Sequence, residues 1–369
     1  MFNESGSQTE TRDMVASAEA VSLRYCNDAE PGFRRVRAGK LFDYRTATGE
    51  QLRDEKHLSR IRALVIPPAW TDVWIAPRAD CHIQVTGRDV RGRKQYRYHE
   101  RWTACRDEVK YSNLVEFAHA LPKLRKAMDK DLAKRGLPRD KVVATIVWLL
   151  DNVMIRVGNS SYARDNKSFG LTTLRDRHAD ISGATLKLSF KGKSGKDWNV
   201  KVSDRRIARI VKSAQDLPGQ QLFQYLDDAG ERRAISSGDV NAYIRDKAGE
   251  AFSSKHFRTW GGTVLASALF ADIELPETKT GINRMRNETI DAVARQLGNT
   301  RAVCRKCYIH PRIFESWANG DLGRELGAIR GRFRRTPSGL VREEAVVLRW
   351  LEMARRKRSS KAAGKAKLA

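Results

Sequence analysis

The apolar positions of this chain change their period near residue 100. Ahead of it, runs are short and alternate. In Cys81-His82-Ile83-Gln84-Val85 the apolar Ile83 and Val85 alternate with polar neighbours, as in a half-buried strand. Lys40-Leu41-Phe42-Asp43-Tyr44 and Val73-Trp74-Ile75 are similar runs, and Asp89-Val90-Arg91-Gly92 turns the chain into Gln95-Tyr96-Arg97-Tyr98. One helical stripe intervenes, Leu58, Ile61 and Leu64, stopped by Pro67-Pro68.

Beyond about residue 105 the spacing is helical. Asp140 can cap a helix whose stripe is Val142, Ile146, Leu149, Leu150, Val153 and Val157, ending at Gly158. A single β interruption follows: Leu186, Leu188 and Phe190 alternate before Lys191-Gly192-Lys193-Ser194-Gly195-Lys196, and Trp198, Val200 and Val202 after it, a hairpin with a basic tip. Helices resume over 207–211 and 240–244, then from Ser254 as cap through Phe257, Trp260, Val264, Leu265 and Ala268. Ile290, Val293 and Leu297 form a stripe closed by Gly298; Thr300 caps a short helix carrying Tyr308, which Pro311 breaks. The fold expected is α+β: a disordered N-terminus (1–18), a small β-rich domain (19–102), a mainly helical domain (103–353) and a disordered basic tail (354–369).

Charge narrows the partners. Lys plus Arg number 70 against 44 Asp plus Glu, a formal net charge of +26 over 369 residues. Arg355, Arg356, Lys357, Arg358, Lys361, Lys365 and Lys367 belong to the tail, which leaves +19 on the remainder. Such a field favours a polyanion, above all a phosphate backbone, although a ribosome or an anionic membrane surface fits composition equally well. No apolar run reaches the roughly 18 residues of a membrane span, and the polar N-terminus is not a secretory signal. The 5 scattered cysteines read as thiols in a reducing cytosol. Cys304 and Cys307 form a C-x-x-C without the second pair that zinc requires, so they read as small core residues. His82, His99, His178 and His310 show no ligand spacing, and no cofactor or metal is expected.

Chemistry-bearing residues fall in separated segments: Met154-Ile155-Arg156-Val157-Gly158, the tip Phe190-Lys191-Gly192-Lys193, Lys255-His256-Phe257-Arg258-Thr259-Trp260-Gly261, and Leu297-Gly298-Asn299 followed by Tyr308. This order of Arg, hairpin Lys, Lys-x-x-Arg and a late Tyr resembles the type IB DNA topoisomerases, in particular their bacterial, poxvirus-like branch. The likeness extends forward through Ile66-Pro67-Pro68-Ala69-Trp70 and Gly92-Arg93-Lys94-Gln95-Tyr96, and covers roughly residues 20–350. It implies a tyrosine-recombinase/topoisomerase IB-like catalytic domain, and a monomer that closes as a clamp on double-stranded DNA in the cytoplasm, at the nucleoid. The activity implied is relaxation of both signs of supercoil through a 3′-phosphotyrosyl intermediate.

The residue types suit that chemistry. Attack on a phosphodiester passes through pentacoordinate phosphorus with added negative charge on two non-bridging oxygens. The always-charged planar forks of Arg156 and Arg258 can bond two oxygens at once. Tyr308, with a free pKa of about 10, needs such cations to attack as phenolate. Lys193, between glycines, can reach into a groove to protonate a leaving 5′-hydroxyl, and the resemblance offers Lys255 as an assistant. The aryl phosphodiester conserves the energy of the broken bond, and no G-x-x-x-x-G-K-[ST] loop for ATP is present. Asn299 departs from the His of poxvirus and eukaryotic members. It can donate an amide hydrogen bond but cannot shuttle protons. By resemblance Arg93, Lys94, Gln95, Tyr96 and Tyr98 contact DNA, with Gln95 able to read adenine in a major groove.

Each residue alone has an ordinary reading, as a helix-end arginine, a solvated turn lysine, an ion-paired arginine or a core tyrosine. Only their joint order makes the case. Of the rivals, a tyrosine recombinase usually carries His-x-x-Arg, whereas His256 here is displaced by one position. A non-catalytic nucleoid protein would use the charge and never nick DNA.

Overall fold

The structure is a computed structural model that describes residues 14–39, 41–227 and 229–366. It divides into two compact units, 1–111 and 112–369. The division falls inside a 33-residue helix, α3 (Glu100–Leu132), about ten residues beyond the boundary read from periodicity. A helix that continues through a boundary leaves no composition change to mark it.

The first unit begins with a short helix α1 (14–19), so residues 14–18 are ordered where the sequence reading expected no structure. Ala18 and Leu23 explain it: both are buried with Trp102. The expectation for 1–13 lies outside the described residues. Five antiparallel strands follow, β1 (Phe33–Ala38), β2 (Leu41–Arg45), β3 (Thr71–Ile75), β4 (Ile83–Arg88) and β5 (Lys94–Tyr98), in the order β2-β1-β3-β4-β5. Sequence reasoning missed β1, whose run of arginines hides its period. The helix α2 (Glu55–Ala63), capped by Asp54 and terminated before Pro67, covers the sheet and joins Ile61 to Phe33, Leu52, Val73, Ile75 and Val85.

One correction concerns the cysteines. Cys26 and Cys81 are joined as a disulfide beside Trp74 and Ala76, with Cα atoms 5.6 Å apart. They lie 55 residues apart in sequence, and scattered spacing says nothing about pairing. Cys105, Cys304 and Cys307 are free thiols.

The second unit is built around α4 (Arg139–Val153), whose near-continuous apolar sequence is buried on most sides. Two differences from the expected helix matter. Pro138, not Asp140, is the N-cap, and Asp140 instead sits in the first turn and pairs with Lys134. The helix ends at Val153, so Arg156 lies beyond its last turn rather than in it. The reason is Met154, which adopts the left-handed conformation (φ 59°) as C-cap and turns the chain aside.

After α5 (Ser160–Asn166) comes a three-stranded sheet, β6 (Ala179–Ser182), β7 (Thr185–Lys191) and β8 (Asp197–Ser203). The predicted hairpin is β7–β8, paired from Thr185↔Ser203 to Lys191↔Asp197. Then come α6 (Arg205–Gln215), the small unpredicted pair β9 (Gln224–Leu226) and β10 (Arg232–Ala234), and α7 (Ser237–Ala248). The remaining helices are α8 (Ser254–Ala271), α9 (Lys279–Gln296), α10 (Arg301–Cys307), α11 (Pro311–Ala318), α12 (Leu322–Arg332) and α13 (Arg342–Ala366). Ser253 rather than Ser254 caps α8, Tyr308 is the C-cap of α10, and Pro311 opens α11 at its first turn. The last helix extends to Ala366 through residues expected to be a disordered tail; Ala, Lys and Arg are strong helix formers, and basic composition does not distinguish a tail from a helix. No described helix is long and apolar enough to cross a membrane.

Candidate active site

Two helix ends and two turns bring the predicted residues together. The segment after α4 runs against the turn at 170–172: Leu171 N donates to Arg156 O (2.9 Å) and Thr172 N to Val157 O (2.7 Å). Gly170 is needed there, because a Cβ would stand 2.6 Å from Gly158 N. This pins the backbone that carries Arg156. From α8, Arg258 is almost fully buried, yet its guanidinium faces the same place. Nη2 donates to Leu297 O at 2.8 Å, and Nη1 donates to Met154 O. The αL turn of Met154 supplies that carbonyl.

Tyr308 leaves α10 so that the Arg258 guanidinium carbon lies 4.9 Å from its ring centroid. Its backbone is fixed by Gly262, where a Cβ would stand 2.9 Å from Tyr308 O, and by Thr263, whose hydroxyl donates to the same carbonyl at 3.3 Å. Burial alone would raise the phenol, but the charges of Arg258 and then Arg156 outweigh it and hold it below the ordinary tyrosine value. Burial likewise lowers the pKa of Arg258, partly offset by Tyr308. Asn299 accepts from Arg156 through Oδ1, while its buried Nδ2 has only the Cys304 sulfur, a weak acceptor, to turn to among the described residues. The Arg258 guanidinium also hydrogen-bonds the Tyr308 side chain, while its Nε meets no well-formed acceptor among the described residues. Buried donors without acceptors are costly unless something supplies the acceptor, and phosphate oxygens would.

Arg156, Lys193, Lys255, Arg258 and Tyr308 line one cavity of about 570 Å³, with Asn299 joined to it through Arg156. Lys193 and Lys255 are both exposed. Sequence reasoning missed the polar wall of this cavity, Asn159, Ser168, Ser237, Asn241 and Ser254. Lone Ser and Asn residues near helix starts look like ordinary caps, so no signal distinguishes them. His256 is absent from the lining; its Nδ1 accepts from Ser253 N at 3.0 Å and its ring packs on Phe117 and Phe252. Burial pushes the Cys304 thiol up to about 11, consistent with a core residue. No group of His, Cys, Asp and Glu among the described residues could hold a metal ion. A larger cavity of about 790 Å³ contains Arg164, Lys167, Arg175, Arg177 and Lys191 but no tyrosine.

In the first unit, the expected DNA contacts split across β5. Tyr96 and Tyr98 stack on one face with centroids 5.9 Å apart, and Lys94 lies 5.6 Å from the Tyr96 ring. Gln95 is on the other face, where its amide nitrogen donates to Asp89 at 3.0 Å. Arg93 pairs with Asp89 at 2.6 Å and Lys94 with Asp28 at 2.6 Å.

With this geometry in place, comparison with known proteins defines the class. Residues 99–320 match the family described as eukaryotic DNA topoisomerase I, catalytic core, and residues 41–89 match the bacterial DNA topoisomerase IB, N-terminal domain. The chain belongs to the type IB DNA topoisomerases. Among its relatives, the DNA topoisomerase 1B of Acanthamoeba polyphaga mimivirus is 34% identical over 295 residues, 78% of this chain and 88% of the viral protein. The DNA topoisomerase 1B of vaccinia virus (strain Copenhagen) is 21% identical over 285 residues, 75% of this chain and 87% of that one. The DNA topoisomerase 1 of Mycosarcoma maydis matches at 26% over 186 residues, 46% of this chain and 18% of the fungal protein.

Proposed function

We propose that this enzyme relaxes positive and negative supercoils by cutting and rejoining one strand of duplex DNA, with Tyr308 as nucleophile. Its phenolate oxygen attacks the scissile phosphorus, and the bond from phosphorus to the 5′ oxygen breaks. The products are a 3′-phosphotyrosyl link and a free 5′-hydroxyl. Arg156 and Arg258 hold the two non-bridging oxygens as charge accumulates on them. Asn299 Nδ2 donates to one of these oxygens, and Lys193 gives its proton to the departing 5′ oxygen, with Lys255 beside it.

Torsional strain then turns the free end. Religation is the same reaction reversed, so the energy of the broken bond is retained and no nucleotide is consumed. The basic cavity around Arg175 and Arg177 and the Tyr96–Tyr98 face contribute backbone contacts to the duplex. One tyrosine cuts one strand, so a monomer suffices, acting on genomic DNA in the cytoplasm.

The observation that carries this reading is the meeting of Arg156, Lys193, Lys255, Arg258 and Tyr308 around one cavity, although they are dispersed over about 150 residues of sequence. The test is relaxation of supercoiled plasmid without magnesium or ATP. Wild type relaxes it, and Tyr308→Phe binds DNA but neither relaxes it nor forms a covalent complex. Relaxation by the variant at the wild-type rate would place the nucleophile elsewhere.

A further inference from the structure

Away from the cavity, the second unit buries a cluster of charges that the proposed chemistry does not use. Arg125 on α3 donates Nε to Asp151 Oδ2 at 2.7 Å and Nη2 to Asp151 Oδ1 at 2.9 Å. The same guanidinium reaches Glu344 on α13, with Nη1 to Oε2 at 2.7 Å and Nη2 to Oε1 at 2.9 Å. Glu344 also accepts from the indole Nε1 of Trp260 at 3.0 Å and from Val341 N at 3.0 Å. Both carboxylate side chains are 8% exposed. Buried ion clusters of this kind seldom add net stability over an apolar packing of equal volume, because desolvation cancels the attraction. Their directional bonds fix geometry instead.

The geometry fixed here is that of Arg258. The cluster ties α4, whose C-cap Met154 supplies one carbonyl of the cradle, to α8, which carries Arg258 itself. Asp151 stands three residues before Met154, whose carbonyl accepts from Arg258 Nη1. Trp260 stands two residues after Arg258, about 200° around α8 at 3.6 residues per turn. A bond on that far side therefore opposes rotation of α8 about its own axis, the motion that would swing Arg258 off Tyr308. Gly261 completes the contact, since its bare Cα lies against the Met154 sulfur.

We propose that Arg125 and Glu344 are positioning residues for strand cleavage: acting through Asp151 and the Trp260 indole, they set the rotation of α8 against the end of α4 and so hold Arg258 over Tyr308. This inference rests on the role given above to Arg258 at the scissile phosphate. It gives α13 a part in positioning the site although none of its described residues lines the cavity.

The test is single-turnover cleavage of a suicide oligonucleotide duplex by wild type, Tyr308→Phe, Trp260→Phe, Glu344→Gln and Glu344→Ala, with DNA affinity and a pH profile for each. A displaced Arg258 slows the rate constant itself, whereas partial unfolding lowers only the fraction of protein that reacts. Trp260→Phe removes one hydrogen bond to a charged acceptor and keeps an aromatic ring at the position, with a small void where the larger indole stood. Its cleavage rate constant is expected to fall about 10-fold at unchanged DNA affinity, with the pH of half-maximal rate moved upward. Glu344→Gln keeps an oxygen for the indole but turns an amide nitrogen toward the donors of Arg125 and Val341, so its rate constant falls between those of wild type and Glu344→Ala, which falls by about 30-fold or more. If Trp260→Phe and Glu344→Ala retain the wild-type rate constant and pH profile, with any loss confined to amplitude, the positioning role is overturned. Failure of wild type to cleave, or cleavage by Tyr308→Phe, would instead overturn the reading on which the inference rests.

Discussion

The guanidinium carbon of Arg258 lies 4.9 Å from the centroid of the Tyr308 ring, and two backbone carbonyls, Met154 O and Leu297 O, hold it there. Such preorganisation removes the reorganisation cost that a mobile cation would incur during reaction. A lysine has neither the planar fork nor the reach to satisfy both carbonyls and a phosphate. Arg258→Lys is expected to lower the single-turnover cleavage rate by about 10²–10³ with DNA binding retained.

The same pair fixes the pH dependence. The Tyr308 phenol is held below its ordinary value because Arg258 and Arg156 outweigh burial. Its reactive phenolate therefore becomes available at lower pH, and the cleavage rate rises with pH to a half-maximum below the usual tyrosine value of about 10. Arg258→Ala removes the larger of the two cationic contributions while the burial that raises the phenol remains, so the half-maximum moves upward. A midpoint unchanged between wild type and variant, measured by quenched-flow cleavage across pH, would separate Arg258 from the ionisation of Tyr308.

The hairpin is tied to the Asn299 turn by Trp198, whose indole lies on Gly298. A Cβ on Gly298 would stand 2.5 Å from Trp198 Cζ2, and its φ of 54° is unfavourable for any L side chain. Gly298→Ala combines that backbone cost of about 1–2 kcal/mol with a clash against a ring that cannot yield easily. The expected outcome is a lowered unfolding temperature and a cleavage rate reduced more than DNA affinity, because both Lys193 and Asn299 depend on this contact. Near-wild-type cleavage by Gly298→Ala would show that the tip and the Asn299 turn act independently.

How far the sequence disclosed this depended on the kind of signal. The hairpin β7–β8 was legible because six apolar residues alternate about a basic tip, and α9 and α10 because Gly298 and Thr300 mark their ends. β1 was hidden because three of its six residues are arginines. The end of α4 was misplaced because the left-handed turn is made by Met154, a residue with no turn preference. Motif order singled out Arg156, Lys193, Arg258 and Tyr308, which line one cavity, but motifs are one-dimensional. They gave no hint that Gly170 and Gly262 permit the approach of Arg156 and Tyr308, nor that Arg125 ties α13 to α4. Pairing of Cys26 with Cys81 was equally invisible, since it depends on sheet topology.

Asn299 offers a test that distinguishes donation from charge. Its Oδ1 accepts from Arg156, and its buried Nδ2 has only the weakly accepting Cys304 sulfur among the described residues. Asn299→Asp keeps the acceptor for Arg156 but replaces the amide donor with a second oxygen that repels phosphate. Asn299→Ala merely deletes both. The aspartate variant is therefore expected to cleave more slowly than the alanine variant, by about tenfold, with the alanine variant itself about 10-fold below wild type. Equal rates would mean that Nδ2 does not face the phosphate.

Lys193 stands at a tip where Ser194 and Gly195 both have positive φ, and its exposed side chain contributes to the cavity wall. An ammonium there can serve as a proton donor or as a mere counter-charge, and the leaving group distinguishes the two. A 5′-bridging sulfur departs as a thiolate and needs no proton, whereas a 5′ oxygen does. With ordinary DNA, Lys193→Ala is expected to slow cleavage by about 10²–10⁴, the usual range for loss of a general acid. With the sulfur-bridged duplex, the variant should recover to within about tenfold of wild type, because only the weaker electrostatic part of its role is then missing. Undiminished slowing on the sulfur substrate would assign Lys193 to charge stabilisation and transfer the proton to another group, with Lys255 the next candidate on the same wall.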